Sequence, residues 1–215
     1  MRCLRSDGAM DLENGKRELL TAHRDRVTPI RRCLRLPGYD YSQAGAYFVT
    51  LCAHHRECLF GEVLDGRMRM NAAGEMVARW LSEVQYKFPN AKIDAHIVMP
   101  NHVHAIVVLR GAVGADLRVR PPEETVTNAD GDTTGAHKGA PLPRIVQWIK
   151  TMATNGYMHG VESQGWPPFP GRLWQRSYYD HIIRDENDLR RAREYIEMNP
   201  ARWAEDEEYT GVPCV

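Results

Sequence analysis

No run of apolar residues in this chain approaches the ~20 needed to cross a bilayer as a helix, so a helical membrane span is not expected. The first residues carry charge without an apolar stretch and a small-residue cleavage site, and no secretory leader is expected either. Cysteine is scarce: Cys3, Cys33, Cys52, Cys58 and Cys214 make an odd count of five with no Cys-x-x-Cys pair. That spacing argues against a structural zinc site on paired thiolates and points to the reducing cytoplasm. An excess of one charge is also missing, since Lys+Arg and Asp+Glu both total 28. A bulk polycation that coats duplex DNA is therefore excluded, while a local basic groove is not. The chain has no Gly-x-x-x-x-Gly-Lys-Ser/Thr loop, so chemistry driven by nucleotide hydrolysis is not expected.

What is present reads as one domain with tails. Residues 1–30 lack periodicity and are expected to be a flexible extension. Residues 31–203 carry the domain. The run of Glu205, Asp206, Glu207 and Glu208 marks residues 204–215 as a solvated acidic tail. Ala46 to Ala53 has apolar residues on both faces and predicts a central strand. Asp65-Gly66 between two short extended pieces predicts a hairpin. Asn71 can cap a helix running to about Lys87, with Met76, Val77, Trp80, Leu81 and Val84 in one stripe. Ile93 to Met99 predicts a further strand, joined through Pro100-Asn101 to the next as a hairpin or as one bent strand. From Gly111 to Pro141, Gly, Ala, Asp, Thr and Pro dominate, which predicts a disordered insert at about 111–141. A second helix follows from Leu142 to about Met158, then a strand from Leu173 to Arg184. Asp185, with Asp188 three positions on, opens a last helix that ends near Pro200. Helices on a mainly antiparallel sheet make an α+β sandwich of ferredoxin-like character.

The stretch Met99-Pro100-Asn101-His102-Val103-His104 begins the strand that runs to Leu109. Strand side chains alternate with period two, so His102 and His104 share a face, roughly 6–7 Å apart along the strand. They are either an ordinary polar pair on a wet face or two ligands of a metal site, and a third ligand elsewhere decides which. On the last helix Tyr195 and Asn199, four apart, also share a face. They could complete such a site with an amide ligand and a phenol, or be a core-edge tyrosine and a helix end before proline.

Three segments together are recognisable: Met99 to His104, Leu173-Trp174-Gln175-Arg176-Ser177-Tyr178-Tyr179-Asp180-His181-Ile182-Ile183-Arg184, and Tyr195-Ile196-Glu197-Met198-Asn199-Pro200. This ordered set resembles the single-tyrosine HUH transposases, and among them the REP-associated tyrosine transposases of bacteria. Leu36 to Tyr41 and Arg56 to Glu62 resemble family segments too, and the likeness runs from about Arg31 to Trp203 outside the insert.

The resemblance implies that His102 and His104 are metal ligands, that Asn199 is the third ligand, and that Tyr195 is the nucleophile. It further implies Mg²⁺ or Mn²⁺ as cofactor, single-stranded DNA with palindromic repeat hairpins as partner, and transposition or recombination through a 5′-phosphotyrosine intermediate. A nucleoid-associated cytoplasmic protein, monomer or homodimer, is the corresponding expectation. Binding single strands calls for a basic track with flat aromatic faces. Arg172, Arg176, Arg184, Arg190 and Arg191, with Trp174 and Tyr178, are the candidates. Alternatives are a non-cleaving hairpin-binding module, a replication-initiator nickase of plasmid or phage type, and a zinc hydrolase. The last would want an acid/base carboxylate that the His-bearing strand does not supply.

Overall fold

The computed structural model describes residues 39–111, 142–206 and 208–211, all within the unit Leu34–Val215. The expectations for residues 1–30 and for most of the 111–141 insert lie outside the described residues. Strand β1, Gly45–Cys52, is buried at nearly every position, as its two-sided apolar sequence predicts. Strands β2, Gly61–Leu64, and β3, Arg67–Met70, form the expected hairpin. Asp65 and Gly66 both take positive φ (51° and 69°), the tight turn that Asp-Gly favours. Helix α1, Ala72–Ser82, starts where the Asn71 side chain accepts the Gly74 N–H at 2.9 Å. The expected single helix to Lys87 is interrupted at Glu83, and a short α2 covers Val84–Lys87.

Strands β4, Ala91–Val98, and β5, His102–Leu109, pair as an antiparallel hairpin closed by Met99 N–H donating to the His102 carbonyl at 2.8 Å. The Pro100-Asn101 link is therefore a turn, not a bend within one strand. Helix α3, Leu142–Gln164, runs a turn and a half past its expected end. Close packing of the following loop accounts for Gly160, where a Cβ would sit 2.2 Å from the Trp166 ring. Strand β6 is confined to Tyr179–Ile183, shorter than the stretch from Leu173 to Arg184 that β-propensity suggests. The reason is Lys150 of α3, whose Nζ donates to the Gln175 and Ser177 carbonyls at 2.8 Å each and so diverts them from a ladder. Ahead of β6, an isolated bridge between Ala53 and Trp174 ties Leu173–Gln175 to the end of β1, with His54 N–H donating to the Leu173 carbonyl and Gln175 N–H to the Cys52 carbonyl, each at 2.9 Å. Helix α4, Glu186–Met198, begins where Asp185 accepts the Asp188 N–H at 2.8 Å, and a 3₁₀ turn, Pro200–Glu205, follows.

The four-stranded sheet has the order β4-β5-β1-β6, with antiparallel neighbours throughout. With the β2–β3 hairpin as an addition between β1 and α1, this is the strand order of the ferredoxin-like double βαβ, an α+β architecture. One sheet face packs on α1 and α3 through Tyr47, Val49, Leu51, Val103, Ala105 and Val107 against Val77, Leu81, Ile145 and Ile149. The other face packs on α4 through Phe48, Ile106, Val108, Ile183 and Ile196. No helix among the described residues is long and apolar enough to cross a membrane.

Candidate metal and nucleophile site

Strand β5 is buried along its whole length, and its alternation sends Val103, Ala105, Val107 and Leu109 to the larger core. His102 and His104 point the other way, continuing the row of Ile106 and Val108. Leu189, Ala192 and Ile196 of α4 form a stripe at helical spacing that seats this helix on the same face, and Tyr195 lies beside the stripe. The Tyr195 ring stands edge-on to His104, with centroids 5.1 Å apart, and to Phe48 at 5.8 Å. Phe48 itself stacks on His104 at 5.2 Å. Trp203, in the 3₁₀ turn, folds back beside His102 at 5.7 Å.

The two imidazoles converge, with Nε2 of His102 only 2.9 Å from Nε2 of His104. Both are buried, at 0% and 3% exposure. Their Nδ1 atoms face outward to fixed partners: His102 to the Asn101 side-chain oxygen at 2.8 Å, His104 to the Thr50 hydroxyl at 2.9 Å. Asp206 completes the cluster. A ligand atom from each of His102, His104 and Asp206 lies within 4.8 Å of the other two. One Asp206 oxygen accepts from the Tyr195 hydroxyl at 2.8 Å and from the Asn199 amide at 2.7 Å, and its second oxygen accepts the Glu208 N–H at 2.8 Å. Asn199 is itself buried, and its side-chain oxygen accepts no hydrogen bond among the described residues.

Asp206 was not a sequence candidate, and the expected solvated tail is corrected at this point. Asp206 is 8% exposed. Glu208 receives the Asn101 amide on its carbonyl at 2.8 Å and pairs with Arg56 at 2.7 Å. A run of four acids reads as solvated because charge prefers water. Here the 3₁₀ turn after Pro200 brings Asp206 back beside His102 and His104, where Tyr195 and Asn199 donate to it, while Glu205 stays exposed. No local signal marks Asp206 as the one that turns inward while Glu205 does not.

His102, His104, Tyr195 and Asn199 are thus brought together. The candidate DNA-contacting residues are spread more widely. Arg172 and Arg176 are exposed in the stretch before β6, Arg184 is exposed just after it, and Arg190 and Arg191 project from the outer side of α4. Arg190 lies 3.9 Å from Glu194, and Arg191 lies 3.7 Å from Asp188. Trp174 departs from the expectation of a base-stacking platform: it is 5% exposed and its ring stacks on Phe60 at 5.1 Å. Burial against apolar neighbours outweighs exposure for so large a ring. Tyr178 is half-buried, with the Lys150 ammonium 5.8 Å from its ring. Burial pushes Lys150 down to about 8. Cys52 pairs in register with His102, and burial, reinforced by Glu208, drives its thiol well above the ordinary range.

No family model matches the chain. The structure of a REP-associated tyrosine transposase bound to a REP hairpin covers 84% of this chain and 77% of its own, with 20% identity and a TM-score of 0.46. A protein of Deinococcus radiodurans R1, provisionally described as a transposase, covers 76% of this chain and 95% of its own, with 17% identity and a TM-score of 0.38. An uncharacterized protein of Haemophilus influenzae strain Rd is 31% identical over 186 residues, spanning 83% of this chain and 93% of that protein. With that identity over nearly the full length of the relative, the chain belongs to the family of this Haemophilus influenzae protein.

Proposed function

We propose that this chain is a transposase-type DNA-cleaving and -joining enzyme of the single-tyrosine HUH class, acting on single-stranded, hairpin-bearing DNA. The observation that carries the reading is the meeting of the Tyr195 hydroxyl with the buried His102–His104 pair through one carboxylate, Asp206. The histidines come from a strand and the phenol from a helix some 90 residues later in the sequence, as the resemblance implies.

The residues fit a divalent cation. Two converging imidazoles, a carboxylate and an amide oxygen with no hydrogen bond among the described residues form a mixed nitrogen and oxygen donor set. His102, His104, Asp206 and Asn199 would hold Mg²⁺ or Mn²⁺, which when bound supplies charge to polarise a phosphate and stabilise its transition state. The protein's own part is nucleophilic catalysis in two displacements. The Tyr195 oxygen forms a bond to phosphorus while the bond from phosphorus to the 3′-oxygen breaks. The phenolic proton passes to solvent, and the departing oxygen takes up a proton to become a 3′-hydroxyl. The product is a 5′-phosphotyrosine linkage. A phenol of pKa about 10 leaves far more readily than an alcohol, so a second 3′-hydroxyl can reverse the step and join new ends. One phosphodiester replaces another, and no nucleotide hydrolysis is required. Exposed Arg172, Arg176, Arg184, Arg190 and Arg191 are suited to the DNA backbone, which makes binding weaker as salt rises.

A second reading, a hairpin-binding module that does not cleave, is favoured by the burial of both histidines and by the hold of Asp206 on the Tyr195 hydroxyl. One experiment separates the two: the chain is incubated with labelled single-stranded DNA carrying the host's palindromic repeats, with and without Mn²⁺, and run on a denaturing gel. A covalent adduct with the wild type that is lost in Tyr195→Phe is expected. Salt-sensitive binding without any adduct overturns the enzyme in favour of the binding module, and equal adduct from both proteins removes Tyr195 as the nucleophile.

A further inference from the structure

The chain leading into β6 meets β1 out of step. Thr50 pairs with Tyr179, and further along β1 Ala53 bridges to Trp174. Between those two ties β1 has two residues, Leu51 and Cys52, and the opposite stretch has four, Gln175 to Tyr178. The two surplus residues make a bulge at one edge of the sheet, the kind of irregularity that re-aims side chains beside functional sites. Its place is close to the candidate centre. Across β1, Thr50 and Cys52 pair with His104 and His102. The bulge is thus separated from the histidine-bearing strand by β1 alone, roughly 10 Å by sheet spacing.

Lys150 holds this bulge open. It sits on α3 among Val146, Ile149 and Ala153, all buried, and is itself only 8% exposed. An apolar side chain would suit that place better, because an ammonium is costly to take out of water. The ammonium donates instead to the Gln175 and Ser177 carbonyls at 2.8 Å each. Gln175 N–H already donates to the Cys52 carbonyl, so in a regular ladder the carbonyls of Gln175 and Ser177 would turn toward β1 as well. Without Lys150 they either lose their donor or return to β1 and erase the surplus. At the crest of the bulge, Arg176 and Ser177 are both exposed.

We propose that Lys150 is a positioning residue for DNA: by propping the bulge, it presents the Arg176 guanidinium and the Ser177 hydroxyl to a backbone phosphate of the bound single strand. This rests on the single-strand reading above. A guanidinium and a hydroxyl are donors suited to phosphate oxygens, and such contacts fix the register of the strand without reading its bases. Lys150 itself does not touch the DNA, because its ammonium is buried and bonded to protein carbonyls. Its removal therefore takes away no exposed charge, and the loss in binding acts through Arg176.

The test is a double-variant cycle in the full chain. It reads the affinity for a fluorescein-labelled single strand carrying the host's palindromic repeats, across a salt series. Lys150→Met and Arg176→Gln are each expected to weaken binding by about 10-fold at low salt and to lower the salt slope by about 1. Together they are expected to be no weaker than either alone, to within about 2-fold, because both remove the same contact. A lysine that only stabilised the fold would leave the salt slope of the folded protein alone. Where Lys150→Met fails to fold, amide hydrogen exchange of the wild type decides, and the single strand is expected to slow exchange at Arg176 and Ser177. Unchanged affinity in Arg176→Gln or in a folded Lys150→Met, losses that multiply in the double variant, or no slowing at the bulge would each overturn the proposal. The cycle as expected in a chain that forms no covalent adduct would sink the enzyme reading and leave this one standing. Adduct formation with binding that neither variant alters would do the reverse.

Discussion

The two faces of the central sheet come from the same strands and serve opposite ends. Toward α1 and α3, β1 and β5 present Val49, Leu51, Val103, Ala105 and Val107, which pack into the large apolar core. Toward α4 they present Phe48, Ile106 and Val108, and then, where the row would continue, Thr50, His102 and His104. The first face is stabilised by area removed from water, at ~25 cal/mol per Å². The second buries polar groups that are tolerable only because nearly every one has a partner. The lesson is that the smaller core secures α4 and leaves its far end free for a polar cluster. The larger core supplies the stability on which that cluster depends.

This contrast can be broken from either side. Ile149→Ala, in α3 under the large face, is expected to destabilise the fold by about 2–5 kcal/mol in urea unfolding, with DNA-adduct formation per folded molecule unchanged. Loss of adduct in the folded fraction would show the faces to be coupled. Asp206→Asn, on the small face, should reverse the pattern. It is expected to lower Mn²⁺ affinity by about 10- to 100-fold by calorimetric titration, with a stability change smaller than that of Ile149→Ala. Unchanged affinity would place the carboxylate outside the cation's shell. Asp185→Ala, which removes the cap at the start of α4, is expected to cost about 1 kcal/mol and to loosen Tyr195 at the other end, read as faster amide exchange along the helix.

The smallest effect concerns the ion pair that tethers α4 to the β4 bulge. Arg193 makes two bonds to Asp94, at 2.8 and 3.0 Å, where the β4 register shifts between Ile93 and Ala95. Its guanidinium holds the Asp94 carboxyl below the usual range. A carboxyl whose pKa is lowered by folding stabilises the fold above its unfolded value of about 3.9, and that contribution fades as pH falls through the lower folded value. Arg193 is 46% exposed, so solvent screening keeps the expected cost of Arg193→Gln under about 1 kcal/mol at pH 7. The gap between wild type and variant should narrow as pH drops below about 4. A gap that widens instead would mean that another group carries the tether.

Features that depend on near neighbours were legible. Asn71 and Asp185 cap their helices because a short polar side chain before an apolar stripe has local N–H groups to satisfy. Asp65-Gly66 turns because those residues tolerate positive φ. Misreadings arose where a distant group intervened. Leu173 to Tyr178 has strand propensity, yet Lys150 captures its carbonyls and Trp174 is drawn into the core. Asp206 carries the same charge as its neighbours, and only the path of the chain after Pro200 distinguishes it.

By itself, the amino-acid order determined that His102 and His104 share one strand face and that Tyr195 and Asn199 share one helix face. Those relations follow from the repeat of a strand and of a helix, and the backbone imposes them within a few residues. Which faces meet was decided by tertiary structure alone. Burying Ile196 against Ile106 and Val108 sets α4 on the histidine side of the sheet, and the return of Asp206 closes the cluster. Those contacts span from seven to about a hundred residues of chain, and their free energy exists only once the apolar surfaces on both partners leave water together.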